Sequence, residues 1–139
     1  MKFAIGYQQP ENGEPFSNIV RDYREHIAEV YFPWTGMATG RAALGNIRGA
    51  IDWAAQEELE EQLRQFRAMG IKLDLLFNAN CYGAYAVSCK LENEVCSIVD
   101  YLGSLDLLPE VVTTTSPFIA TTLKKHFASI DLRASVNMR

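Results

Sequence analysis

The chain has 139 residues and a mass of 15.6 kDa, with 48% apolar and 22% charged residues, so it carries enough apolar material for one folded core and does not read as disordered. A net charge of −4 and a pI near 5.2 argue against a phosphate-neutralising surface, and direct nucleic-acid binding by this segment is not expected. No apolar stretch approaches the roughly 20 residues needed to span a bilayer, and Met1–Tyr7 is too short for a signal-peptide apolar region. Cys81, Cys89 and Cys96 are odd in number and follow no CxxC spacing, so free thiols in a reducing cytoplasm are the expectation.

In chain order, Lys2–Tyr7 reads as a first strand, followed by a helix from Asn18 to His26 with Val20, Tyr23 and Ile27 on one side. Ala28–Phe32 is the second strand. Asp52 caps a long helix running to Met69, with Gly70 as its left-handed stop. Ala55, Leu59, Leu63 and Phe66 form the apolar stripe of that helix. Its glutamates lead and its arginines follow, which suits the helix dipole, and Glu60 and Arg64 are spaced for an i,i+4 pair. Lys72–Asn78 is the third strand. Leu91, Val95, Ile98 and Leu102 mark a third helix closed by Gly103. Glu110–Thr115 is the fourth strand. Ser116-Pro117 opens a fourth helix with Ala120, Leu123 and Phe127 inward, and Asp131–Asn137 is the fifth strand.

This alternation predicts right-handed crossovers and a parallel sheet in a single α/β domain over 1–139. Two architectures satisfy it: an open doubly wound sheet, or about the first five strands of a (β/α) barrel. A complete barrel needs about 250 residues. The last strand has no helix after it in the sequence, which favours the partial barrel, the N-terminal part of a larger protein.

Both architectures place ligands at the carboxyl ends of the strands. The residues there are amides, hydroxyls and aromatics, with hardly a carboxylate or histidine, so no catalytic residue is assigned. Arg41, in the loop Gly36–Arg41, is either a bidentate clamp for a carboxylate or phosphate or a solvated loop arginine. Trp34 either stacks on a planar substrate or packs. Asn78, Asn80 and Asn137 complete the candidate substrate-binding set. Cys81 lacks a neighbouring histidine to activate it, and no metal site is assigned. His26 and His126 are placed in last helical turns, as caps of the negative dipole end. The glycines at 36, 40, 45 and 49 form no nucleotide-binding motif.

Several segments together resemble the collagenase-like peptidase family (peptidase family U32). Ala28-Glu29-Val30-Tyr31-Phe32 followed by Arg41 resembles its second strand and the arginine after it, and Met69–Asn78 resembles its helix-glycine-strand unit ending in asparagine. Residues 111–117 and 131–137 match the next strands more loosely. The chain departs from the pattern at His26-Ile27-Ala28-Glu29, where a Gly-Ala-Asp is usual, and it lacks the cysteine-bearing signature. The resemblance implies a barrel-like α/β domain and carries Arg41 and Asn78 over as substrate contacts. It also implies a reaction of one of two kinds: peptide hydrolysis, or hydroxylation of RNA or a quinone precursor with an iron–sulfur cluster held by residues beyond this chain. A non-catalytic half-barrel or small binding module, acting through self-association or a partner chain that completes the sheet, is the alternative.

Overall fold

The structure, a computed structural model, describes residues 1–10, 13–42, 44 and 51–136. Five short strands form one sheet: β1 (Phe3–Gly6), β2 (Ile27–Pro33), β3 (Lys72–Phe77), β4 (Val111–Thr114) and β5 (Asp131–Ala134). Between them lie α1 (Phe16–Asp22), α2 (Trp53–Ala68), α3 (Cys89–Ser104) and α4 (Pro117–His126), with a 3₁₀ turn at Gly83–Tyr85. The strand order is β1-β2-β3-β4-β5 and every neighbouring pair is parallel. Sequential order decides between the two architectures. A doubly wound sheet reverses its order at a switch point; here each right-handed crossover steps the same way, which puts all four helices on one face. The result is an α/β fold with the arrangement of the first five strands of a (β/α) barrel. No helix among the described residues is long and apolar enough to cross a membrane.

Strand alternation divides the side chains between two faces. Val30 and Phe32, Leu73, Leu75 and Phe77, and Val112 pack under the helices with Leu59, Leu63, Phe66, Val95, Val99, Leu102, Ile119 and Leu123, all essentially solvent-free. Glu29 and Tyr31, Asp74 and Leu76, Thr113, and Arg133 belong to the opposite, concave face. Leu73–Phe77 is therefore buried on both faces, including the charged Asp74 within it.

The long helices follow their local signals. Asp52 caps α2 by accepting from Ala55 N at 3.1 Å, Gly70 takes φ +75°, and Glu60 pairs with Arg64 at 3.6 Å. Ser88 and Ser116 cap α3 and α4 in the same way. Three expectations need correction. The first helix occupies Phe16–Asp22, not Asn18–His26, because its cap is tertiary: Ser17 N donates to Gln62 Oε1 of α2 at 2.7 Å. Tyr23 is consequently exposed and His26 lies in a turn, its N bonded to Tyr23 O, with no helix end to cap. Gly103 stays inside α3, and the left-handed residue after it is Asp106 (φ +58°). On α4 the inward residues are Ile119, Thr122 and Leu123, while Ala120 and Phe127 are only partly buried. His126 does end α4, where its Nε2 lies 3.1 Å from Glu92 Oε1 of α3.

Candidate functional site

The carboxyl end of β2 turns through Trp34–Met37, with Met37 N bonded to Trp34 O and Gly36 at φ +79°, a conformation that suits a residue without Cβ. The loop that follows is tied to β3. Asn78, just past the end of β3 and 8% exposed, accepts with Oδ1 from Thr39 Oγ1 at 3.0 Å and from Gly40 N at 3.1 Å. Thr39 Oγ1 in turn accepts from Arg41 N at 3.2 Å. One buried amide thus fixes the backbone from which the Arg41 side chain departs.

The side chain of Arg41 crosses the ends of β1 and β2. Its guanidinium carbon stands 5.0 Å from the centroid of the Tyr31 ring, a cation–π arrangement. Beneath it is Gly6: a Cβ there would come within 2.7 Å of Arg41 Nη2 and 2.6 Å of Tyr31 Cε2. Gly6, Tyr31 and Asn78 therefore position an exposed cation at the strand ends, and no ion pair among the described residues uses it. A guanidinium positioned in this way suits a carboxylate or phosphate oxygen pair.

The other candidates separate. Asn80 is exposed in the loop after β3, beside Cys81, whose Sγ accepts from Gly83 N at 3.2 Å. Trp34 is 7% exposed and packs edge-on to Tyr101 of α3, surroundings that favour the packing reading. Asn137 lies outside the described residues. Tyr7, at the end of β1, turns to the helix side between Phe16 and Phe66; burial first and the charge of Glu58 second push its hydroxyl up to about 12. The Tyr82 hydroxyl is likewise pushed up to about 12 by burial. Neither phenol supplies a base near neutral pH.

A polar cluster escaped the sequence reading. On the concave face Arg133 Nη1 of β5 donates to Glu29 Oε1 of β2 at 2.6 Å and lies 3.9 Å from Asp74 Oδ2 of β3, while Thr113 Oγ1 of β4 donates to that same Oδ2 at 2.8 Å. Glu29 and Asp74 are 5% and 4% exposed. Burial, and then the nearby Glu29 charge, push the Asp74 carboxyl up to about 6, against the pull of the Thr113 hydroxyl and Arg133. The available signal was a charged residue inside each of three strands: Glu29 and Asp74 within apolar runs, and Arg133 in Leu-Arg-Ala.

Cys81 follows β3 whereas Cys89 and Cys96 are on α3, and among the described residues no three His, Cys, Asp or Glu side chains converge as a metal-ligating group. These cysteines do not fit an iron–sulfur cluster as a set, and none of them touches the Arg41 side chain among the contacts described.

No family model matches the chain, and no curated protein does. Among solved structures it is similar to the U32 peptidase Mk0906, with a TM-score of 0.62 and 19% identity over 96% of the chain. The match covers 47% of the Mk0906 chain, so this chain spans about half the length of that structure. At this identity the similarity establishes a shared fold, and the fold implied by the sequence resemblance is met.

Proposed function

We propose that the chain is the N-terminal β/α portion of a peptidase-family-like barrel protein and that Arg41 binds an anionic group of its substrate, a peptide carboxylate in the hydrolytic reading. The observation that carries this is the built setting of Arg41: a loop anchored by Asn78, a ring beneath the guanidinium and a glycine notch that admits it. The fold shared with a U32 peptidase supports the reaction class. Hydroxylation of RNA or a quinone precursor would use the same cation on a phosphate or carboxylate.

The test is titration of the full chain with an N-acetylated peptide bearing a free carboxylate, and separately with inorganic phosphate, followed by backbone NMR shifts. Saturable shifts at Gly40, Arg41 and Tyr31 that disappear in Arg41→Ala, with the melting temperature unchanged, are expected. Absence of binding in the wild type, or equal binding by Arg41→Ala, removes Arg41 from the site.

A second reading, assembly without catalysis, is favoured by the two outer strands. Among the described residues β1 pairs only with β2 and β5 only with β4. A groove of about 520 Å³ lined by Ala120, Thr121, Lys124, Lys125 and Leu132 adjoins β5. Unpaired parallel edges are templates for another strand, here β1 of a second copy. Sedimentation that gives a concentration-dependent mass supports this reading, and a monomer at all concentrations removes it.

A further inference from the structure

The loop that carries Arg41 starts at Trp34 and Thr35, and a ring of contacts from α2 and α3 grips both residues. Thr35 Oγ1 donates to Gln56 Oε1 at 2.5 Å, and Gln56 Nε2 donates to Glu60 Oε1, one helical turn further on, at 3.2 Å. Tyr101 of α3 donates its hydroxyl to the same Oε1 at 2.7 Å, and its ring packs edge-on against Trp34 with centroids 6.0 Å apart. The peptide bond between Trp34 and Thr35 closes the ring. Thr35, Gln56 and Glu60 are 4%, 7% and 9% exposed. Polar groups buried to that degree keep one geometry, because breaking a bond leaves an orphan away from water. The polarity of the ring is fixed as well. A carboxylate only accepts, so Glu60 draws the Gln56 amide nitrogen, which turns the amide oxygen to Thr35 and leaves the Thr35 hydroxyl to donate. Tyr101 stays a donor, since its hydrogen bond to Glu60, and then burial, raise its pKa.

We infer that Gln56 and Glu60 are positioning residues for Arg41: they hold the start of its loop, as Asn78 holds the far end, and so keep the guanidinium over Tyr31. The inference rests on the reading of Arg41 as the anion-binding group. The turn Trp34–Met37 closes with Met37 N on Trp34 O, and Thr39 and Gly40 are then taken by Asn78 Oδ1. A short loop fixed by a buried amide at each end has few backbone conformations left, whereas release of either end returns some of that freedom. The contacts described for Arg41 include none of Thr35, Gln56, Glu60 and Tyr101, so their effect passes through the backbone. A ring that only fastened α2 to α3 would leave the guanidinium where it is when Thr35 is changed.

The first readouts use the full chain without ligand. The Arg41 Nε proton lies in the field of the Tyr31 ring, so its NMR shift reports the stacked position, and exchange of the Gly40 amide, which donates to Asn78 Oδ1, reports the loop. In Thr35→Val, an isosteric change, and in Gln56→Met the Arg41 signal should move towards that of a free arginine. Gly40 protection should fall by about 2- to 10-fold in both, the scale of one neutral hydrogen bond, while the amides of Leu63 in α2 and Leu75 in β3 hold theirs. Glu60→Gln keeps an oxygen for Gln56 and Tyr101 and should behave like the wild type, whereas Glu60→Met should behave like Gln56→Met. Titration with the N-acetylated peptide should then give a dissociation constant raised by a similar factor in Thr35→Val and Gln56→Met, and near the wild-type value in Glu60→Gln. The inference is overturned if Thr35→Val and Gln56→Met leave the Arg41 signal and Gly40 protection unchanged, if Glu60→Gln is as damaged as Glu60→Met, or if Leu63 and Leu75 lose protection along with Gly40. Absence of peptide binding in the wild type refutes the anion reading of Arg41, and the ligand-free readouts still decide whether Gln56 and Glu60 position its side chain.

Discussion

Gly6 and Arg41 occupy complementary space: a single methyl on Gly6 would lie 2.7 Å from Nη2 of Arg41. The chain joins a strand residue to a loop residue 35 positions later by leaving out one side chain, and that omission lets the guanidinium lie over Tyr31. Gly6→Ala should therefore push Arg41 off the ring. We expect a smaller loss of stability than overpacking a core would cost, since Nη2 is the far end of an exposed, flexible side chain that can move aside, but weaker carboxylate binding than in the wild type. Chemical denaturation together with the peptide titration checks both. Unchanged binding would mean that the notch does not position Arg41.

Asn78 should matter through its acceptor oxygen. Asn78→Asp keeps an oxygen for Thr39 Oγ1 and Gly40 N, whereas Asn78→Leu removes it. The leucine variant should lose about 1–3 kcal/mol and be cut faster by protease between Gly36 and Ala42. The aspartate variant should behave much more like the wild type. Equal cleavage of wild type and Asn78→Leu would show that the loop holds its shape without the amide.

Asp74 predicts an unusual pH dependence for a carboxylate. Its folded-state value, about 6, lies above the ordinary 3.8, so the native protein binds the extra proton between those values. The contribution of Asp74 to stability then falls as pH rises through the window, and above pH 6 the buried carboxylate opposes folding by up to about 3 kcal/mol. Asp74→Asn should be more stable than the wild type at pH 8 and should lose that advantage at pH 4. Urea denaturation of both proteins at the two pH values decides it, and an equal difference at both would refute the assignment.

Glu110 joins three elements. It accepts from Arg67 Nη1 of α2 and, with Oε2, from Leu73 N at the start of β3 at 2.9 Å, while Arg67 Nη2 donates to Leu108 O at 2.6 Å. Glu110→Ala strands the Leu73 amide and removes the partner of Arg67. A loss of about 1–2 kcal/mol is expected, reduced from a buried pair because both side chains are about a third exposed. Thermal unfolding of Glu110→Ala and Arg67→Ala should show similar losses, and the double variant little more than either.

The legible parts of this molecule are those whose causes lie within a few residues. Asp52, the Ala55–Phe66 stripe and Gly70 mark α2 because the cap, the buried face and the left-handed stop all act within one or two turns. The start of α1 was not legible, because its amide is capped by Gln62, 45 positions away. Asn78 was legible as the polar end of an apolar strand, but its work on Thr39 and Gly40 was not. Arg41 was legible as a loop cation, while Tyr31 and Gly6 were not, since neither contact exists until β1 and β2 are side by side.

By itself the sequence determined five strands, four helices, their order and the parallel α/β class, because periodicity, caps and turn residues are local and additive. It favoured the partial barrel over the doubly wound sheet without placing the strands side by side, and it left the concave face unread. The strand order β1-β2-β3-β4-β5 settled the first, since only relative placement in space distinguishes a sheet covered on one face from a doubly wound one. The tertiary arrangement of the strands settled the second, bringing Arg133 of β5 to Glu29 of β2 with Asp74 buried beside them. Such contacts depend on the positions of whole strands, and no window of sequence contains both partners.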